Sequence, residues 1–270
     1  MAWAGGVTGS REGLKIPWRK LRAGSIPAPP TKGTRHLPSP FSVDKPHDSR
    51  YRRRTQGDIL ETLIYRLKKS GIWNADLEWR VRALWKYGIE PISDPRLRST
   101  IEGFLLLVPL AFFTDHASRS GNFHPPWQNV AHGTFLSIVE SCVLLPGWAR
   151  HVPEILDAGK NPSQRAIDLG LAATIVSDCW KKEDYGDIHH GTDHGRVAAE
   201  HWVRFATSAG LDRDTIERVA EASVMHMGVY APDWKQGTKL SPIAALVNLP
   251  DVATSLPQLR LIYRNATVIR

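Results

Sequence analysis

At 270 residues the chain can bury a sizeable core, as one large domain or two small ones. Its hydrophobic share of 42% and charged share of 23% are ordinary for a globular chain and argue against a low-complexity or fibrous one. The net charge of +8 is uneven: residues 1–57 carry 12 Lys and Arg against 3 Asp and Glu, and the rest carry 23 against 24, so the basic character belongs to the N-terminal segment.

That first segment is rich in proline, glycine and serine and has no sustained apolar period. Pro27, Pro29 and Pro30 cannot sit inside a helix or a central strand. It reads as an extended arm over residues 1–57, closing on the basic cluster Arg50, Arg52, Arg53 and Arg54, which suits a phosphate backbone or simply a solvated linker. The opening Met-Ala-Trp-Ala-Gly-Gly lacks the apolar core of a signal peptide. The longest apolar run, residues 103–113, falls short of the roughly 20 residues that a bilayer span needs. The expectation is a cytoplasmic protein with no membrane partner. Cys142 and Cys179 lie in apolar helical contexts and read as buried thiols, with no disulfide or zinc–thiolate framework.

From residue 58 the texture becomes helical. Ile59, Leu60, Leu63, Ile64 and Leu67 follow the i, i+3/i+4 rule, and Leu77, Val81, Leu84 and Trp85 mark a second helix over 75–87. Asp94-Pro95 is an N-cap and first-turn pair for a helix over 95–113, which Pro109 kinks or splits. Residues 114–128 form a loop containing His116, His124 and Pro125-Pro126. A helix follows over 129–145, with His132 at its N-terminal end. The next, over 162–180, is apolar most of the way round, as expected of a central helix, and bears Asp178 at its C-terminal end. A carboxylate there opposes the helix dipole, and a neighbouring cation would relieve it. Residues 194–208 and 212–227 form a helical hairpin, and a last helix over 242–249 leads to Asp251. No stretch alternates with the period of a strand, so the fold class is all-α.

The polar residues converge on one kind of chemistry. His132, His189, His190, His194, His201 and His226 stand on or beside apolar helices, with Asp178 and Asp251 among them. Imidazoles and carboxylates drawn from several helices are how an all-helical protein builds a divalent-metal site. His189 and His190 point in different directions, so one of the two faces the site. His201, two turns on from His194, also suits a partly exposed position. A Gly-x-Ser-x-Gly nucleophile elbow and a His-Glu-x-x-His zinc helix are both absent from the sequence.

In this order the residues resemble the HD-domain superfamily of metal-dependent phosphohydrolases. Ala131-His132-Gly133 resembles its first-histidine helix, and Ala172 to Lys181, with Asp178 and a lysine three residues later, its His-Asp helix. Asp187 to Gly195 resembles the segment supplying second-metal histidines, Val224 to Tyr230 the next histidine segment, and Leu246 to Asp251 the closing aspartate. The pattern departs at Ser177, where the family has the histidine of its name. Serine is a poor ligand for a transition metal, so a first set of His132, Asp178 and Asp251 is one imidazole short. The second set, Asp178, His190 or His194, and His226, is more complete. His124, eight residues ahead of His132, also resembles the upstream histidine motif of HD-type conjugative relaxases.

The resemblance implies an HD-like helical bundle over 121–270, preceded by a helical part over 58–120. It implies a divalent ion, with Mn, Fe, Zn, Mg, Co and Ni all open, held by residues from the set His132, Asp178, His190, His194, His226 and Asp251. Asp178 and Lys181 would be catalytic, with Lys181 neutralising charge on a phosphate. The substrate would be a phosphate ester of a small molecule, nucleotide or nucleic acid, and the arginine cluster could hold a polyanion. The alternatives are a catalytically degenerate HD fold that binds nucleic acid or acts as a scaffold, and a relaxase-like DNA-nicking protein.

Overall fold

The computed structural model describes residues 56–117, 132–157, 161–184, 188–231 and 233–255. Arg50, Arg52, Arg53, Arg54 and His124 lie outside the described residues. The fold is all-α. Nine α-helices occur among the described residues, beside one antiparallel ladder of two-residue strands, β1 (Leu156–Asp157) and β2 (Asn161–Pro162).

The first four helices begin and end where local chemistry dictates. Helix α1 (Gln56–Lys69) buries Leu63, Ile64 and Leu67. Helix α2 (Ala75–Leu84) starts at Asn74, whose side chain accepts from the Leu77 amide at 2.8 Å, and runs into a π-helical turn, Trp85–Ile89. Gly88 in that turn touches Leu84, Cys142 and Ile175 so closely that an added Cβ would come within 3.0 Å of Leu84. Helix α3 (Pro95–Leu105) is capped by Asp94, which accepts from the Arg96 and Leu97 amides. It stops short of Pro109, and the short α4 (Ala111–Thr114) follows, so the expected 95–113 helix is split in two.

Helix α6 (Gln164–Ser177) is central among the described helices. Ser163 caps it, every residue from Asp168 to Ser177 is buried, and it packs against α5 (Gly133–Trp148), α7 (His194–Ser208), α8 (Arg213–Met225) and α9 (Pro242–Ser255). Each fully buried Leu, Ile or Val contributes roughly 1.5–3 kcal/mol, so a helix enclosed on all sides is a strong anchor for whatever sits at its ends. Helix α9 extends past the expected 242–249 and carries Asp251 within it. Pro250 removes one backbone hydrogen bond, but its ring lies on the same buried face as Ile243, Leu246, Val247 and Ala253, and that packing outweighs the loss.

Just beyond α6, aromatic rings fix the backbone. The Trp180 ring lies 5.3 Å from that of Phe104, which in turn meets Trp202 edge-on at 5.6 Å. Trp180 also stacks on His201, at 4.2 Å and nearly parallel. Trp180 is thereby locked between Asp178 and Lys181, and its neighbours inherit that rigidity.

Candidate metal centre

Three helix ends meet at one point. Asp178 is the C-terminal cap of α6, His194 is the first residue of α7, and His226 immediately follows α8. Because α7 and α8 form an antiparallel hairpin against α6, the start of α7 and the end of α8 share one end of the bundle. The approach is tight. A Cβ on Gly195 would stand 2.5 Å from the Ser223 carbonyl oxygen and 3.0 Å from the His226 ring, so only glycine lets the two helix ends come this close.

The three side chains are almost fully buried, at 2% exposure for Asp178, 4% for His194 and 2% for His226. Their ligand atoms all lie within 4.8 Å of one another. His194 Nε2 is 2.9 Å from Asp178 Oδ1, His226 Nε2 is 3.6 Å from the same oxygen, and the two Nε2 atoms are 3.1 Å apart.

The outer contacts determine which nitrogen faces inward. His194 Nδ1 donates to the Gly191 carbonyl at 2.5 Å, and His226 Nδ1 donates to the Ser223 carbonyl at 2.7 Å. A carbonyl oxygen only accepts, so each Nδ1 carries a proton and Nε2 is the nitrogen each ring turns to the centre, where it donates to Asp178 when the ring is protonated and offers a lone pair when it is neutral. This is the arrangement by which proteins orient metal-ligating histidines. Asn248 Nδ2 donates to the His226 carbonyl at 2.7 Å and holds that backbone in place.

A carboxylate oxygen and two imidazole Nε2 atoms thus converge in a buried space that could hold a cation. Lys181 Nζ supplies one from the side, 2.9 Å from Asp178 Oδ1, yet this oxygen receives no hydrogen bond of good geometry. Burial would raise the Asp178 carboxyl, but Lys181 and the imidazoles, when they donate through Nε2–H, outweigh it and hold it well below the ordinary carboxylate range. Burial lowers His194, whereas at His226 the effect of burial is overcome by Asp178 and the net shift is upward. That carboxylate oxygen and two inward Nε2 atoms, once the rings are neutral, form an N₂O donor set that fits a divalent transition metal such as Zn, Fe, Mn, Co or Ni.

The remaining expected residues have other partners. His190 Nε2 pairs with Glu183 Oε1 at 3.0 Å, away from the three-residue group. His132 is buried at the start of α5 in a left-handed conformation (φ 69°), and its Nδ1 donates to the Phe113 carbonyl at 2.5 Å. Asp251 is half-buried on α9, and its carboxyl is raised to about 6 by burial, with Asp178 adding and His226 and Lys181 opposing. It feels the charge of the centre without belonging to the group of three. Ser177 is buried and donates to the Thr174 carbonyl at 2.9 Å. His201, stacked on Trp180, is half-buried.

The sequence pattern assigns no supporting role to Gly195, Gly191 or Asn248, although Ser223 shares a helix face with His226 and each of the two glycines follows a histidine. Comparison with protein-family models, with curated proteins and with solved structures finds no match to this chain.

Proposed function

We propose that the protein is an HD-type, metal-dependent phosphohydrolase acting on a nucleotide or nucleic-acid phosphate ester. The observation that carries this reading is the buried Asp178–His194–His226 group, with both histidines tautomerically fixed to present Nε2. Asp178, His194 and His226 would hold the ion, and their order along the chain is the order the family resemblance implies for its second metal. A divalent ion there supplies Lewis acidity toward a phosphoryl oxygen. The chain's own residues do the rest. Asp178 stays ionised, Lys181 Nζ stands 2.9 Å from it at the edge of the site, and the closed helix ends exclude bulk water.

The test is a screen of phosphate mono- and diesters, nucleotides included, with protein loaded with Mn, Fe or Zn. Turnover and bound metal should disappear together in Asp178→Ala. Retained turnover in that variant overturns the reading.

A second reading is favoured by Ser177, which takes the place of a metal ligand and is satisfied by a backbone carbonyl. On it, the chain is a degenerate HD fold that binds nucleic acid through its basic N-terminal arm. It predicts DNA or RNA binding that weakens steeply with salt and is lost on removing residues 1–57. Undiminished binding by the truncated chain rules it out.

A further inference from the structure

Lys181 is more than a bystander to the centre. Among the described residues its ammonium meets two oxygens, Asp178 Oδ1 at 2.9 Å and the Ala117 carbonyl at 3.1 Å. Its backbone is equally fixed. The Lys181 carbonyl accepts from the His190 amide at 3.0 Å, Glu183 donates to the Ile188 carbonyl at 3.0 Å, and Lys182 pairs with His189 in a β-bridge. The His190–Glu183 pair braces the same ladder through its side chains. Trp180, stacked on His201, holds the other flank. The ammonium is therefore aimed at Asp178 by rigid structure on both sides.

The oxygen it reaches is the one that both imidazoles face. A monovalent cation and a divalent ion that share one carboxylate oxygen in a buried site repel each other, and little water is present to screen them. With an anion added, both cations gain, because a phosphoryl group can lie against each of them.

Resting on the reading of Asp178, His194 and His226 as a divalent-ion site, we propose that Lys181 is a resident counter-cation that sets how tightly that site holds its metal. It holds the Asp178 carboxylate in place whether or not metal is bound, and it weakens the metal's hold in exchange. The centre is then one that loads to a single divalent ion, releases it readily to chelators, and gains affinity when a phosphate anion bridges metal and lysine.

The experiment is a titration of chelator-stripped full-length protein with Zn and with Mn, followed by calorimetry or chelator competition. Wild type is compared with Lys181→Gln, Lys181→Met and Lys181→Arg, each with and without inorganic phosphate. The two neutral variants should bind metal about tenfold or more tightly than wild type. The same two should melt at lower temperature when stripped, and phosphate should no longer increase their metal affinity. Lys181→Arg, which keeps the charge, should stay within a few-fold of wild type. A lysine that merely braces the loop predicts the opposite sign, with weaker metal binding in the neutral variants. Gln keeps a hydrogen-bonding head and covers the case in which Met does not fold. Equal or weaker metal binding in the neutral variants, with wild type binding normally, overturns this proposal alone. If neither wild type nor any variant binds metal, the metal-site reading falls, and this proposal with it. Binding confined to the neutral variants would support the proposal in its strongest form.

Discussion

Asp168 and Asp178 lie ten residues apart on α6, one within the helix and one capping it, and both are buried in the same core. Asp168 is fully satisfied. It accepts from the Ser93 amide at 3.0 Å, the Ser93 hydroxyl at 2.7 Å, the Asp94 amide at 2.9 Å and the Gln164 side chain at 2.8 Å. Asp178 instead faces two imidazole Nε2 atoms and a lysine, and one of its oxygens lacks a well-formed hydrogen bond. Burying an ionised carboxylate is costly unless it is paired or fully hydrogen-bonded. One aspartate meets that cost with fixed donors and ties α6 to the start of α3. The other depends on cations, and so is the one suited to chemistry.

Substitutions at the two positions should therefore separate metal binding from stability. Asp178→Asn removes the shared anionic ligand and should weaken metal binding by more than about 100-fold, since even outer-shell changes cost 10–100-fold. Asp168→Ala should leave metal affinity unchanged and cost about 3 kcal/mol in denaturant unfolding, because the Ser93 and Asp94 amides lose their acceptor. Comparable metal loss in both variants would erase the distinction. Gly195→Ala sharpens it from the other side. It should push the α7 start away from Ser223 and His226 and weaken metal binding by about tenfold or more, although it alters no ligand.

A third buried carboxyl offers a pH test. Glu102 is 4% exposed and its Oε1 has no hydrogen-bond partner. Burial raises its carboxyl above the ordinary range, and the Arg98 charge opposes only part of that shift. A raised carboxyl favours the fold while protonated and loses that advantage as pH rises through its folded-state value. Glu102→Gln should thus melt higher than wild type near pH 8, with the gap closing toward pH 4. A gap that is constant with pH would mean that charge burial is not the cause. The smallest expected effect is at the residue beside Asp178. Ser177→Ala loses one hydrogen bond to the Thr174 carbonyl, should cost about 1 kcal/mol, and should leave metal binding intact.

Much of the helical fold was legible because its signals are local. Asp94 with Pro95 opens α3, and the apolar period places the buried faces of α1 and α2. The run through Pro250 was not legible, since packing of a buried face decided it against a local rule. At the site, Asp178, His194 and His226 were all named as candidates, but so were His132, His190 and Asp251. Spacing cannot tell which of two nearby histidines turns inward. His190 and His194 are four residues apart, yet one pairs with Glu183 beside a β-bridge and the other opens a helix against Asp178. That choice depends on carbonyls and a glycine contact distant in sequence, which no local pattern encodes.

The most direct test of the central claim is the metal content of the stripped and reloaded protein by elemental mass spectrometry, for wild type, Asp178→Asn and Asp168→Asn side by side. The arrangement of Asp178, His194 and His226 predicts one equivalent of a divalent transition metal in wild type, one in Asp168→Asn and none in Asp178→Asn. No metal in wild type after loading with Mn, Fe or Zn, or equal retention by Asp178→Asn, would contradict it.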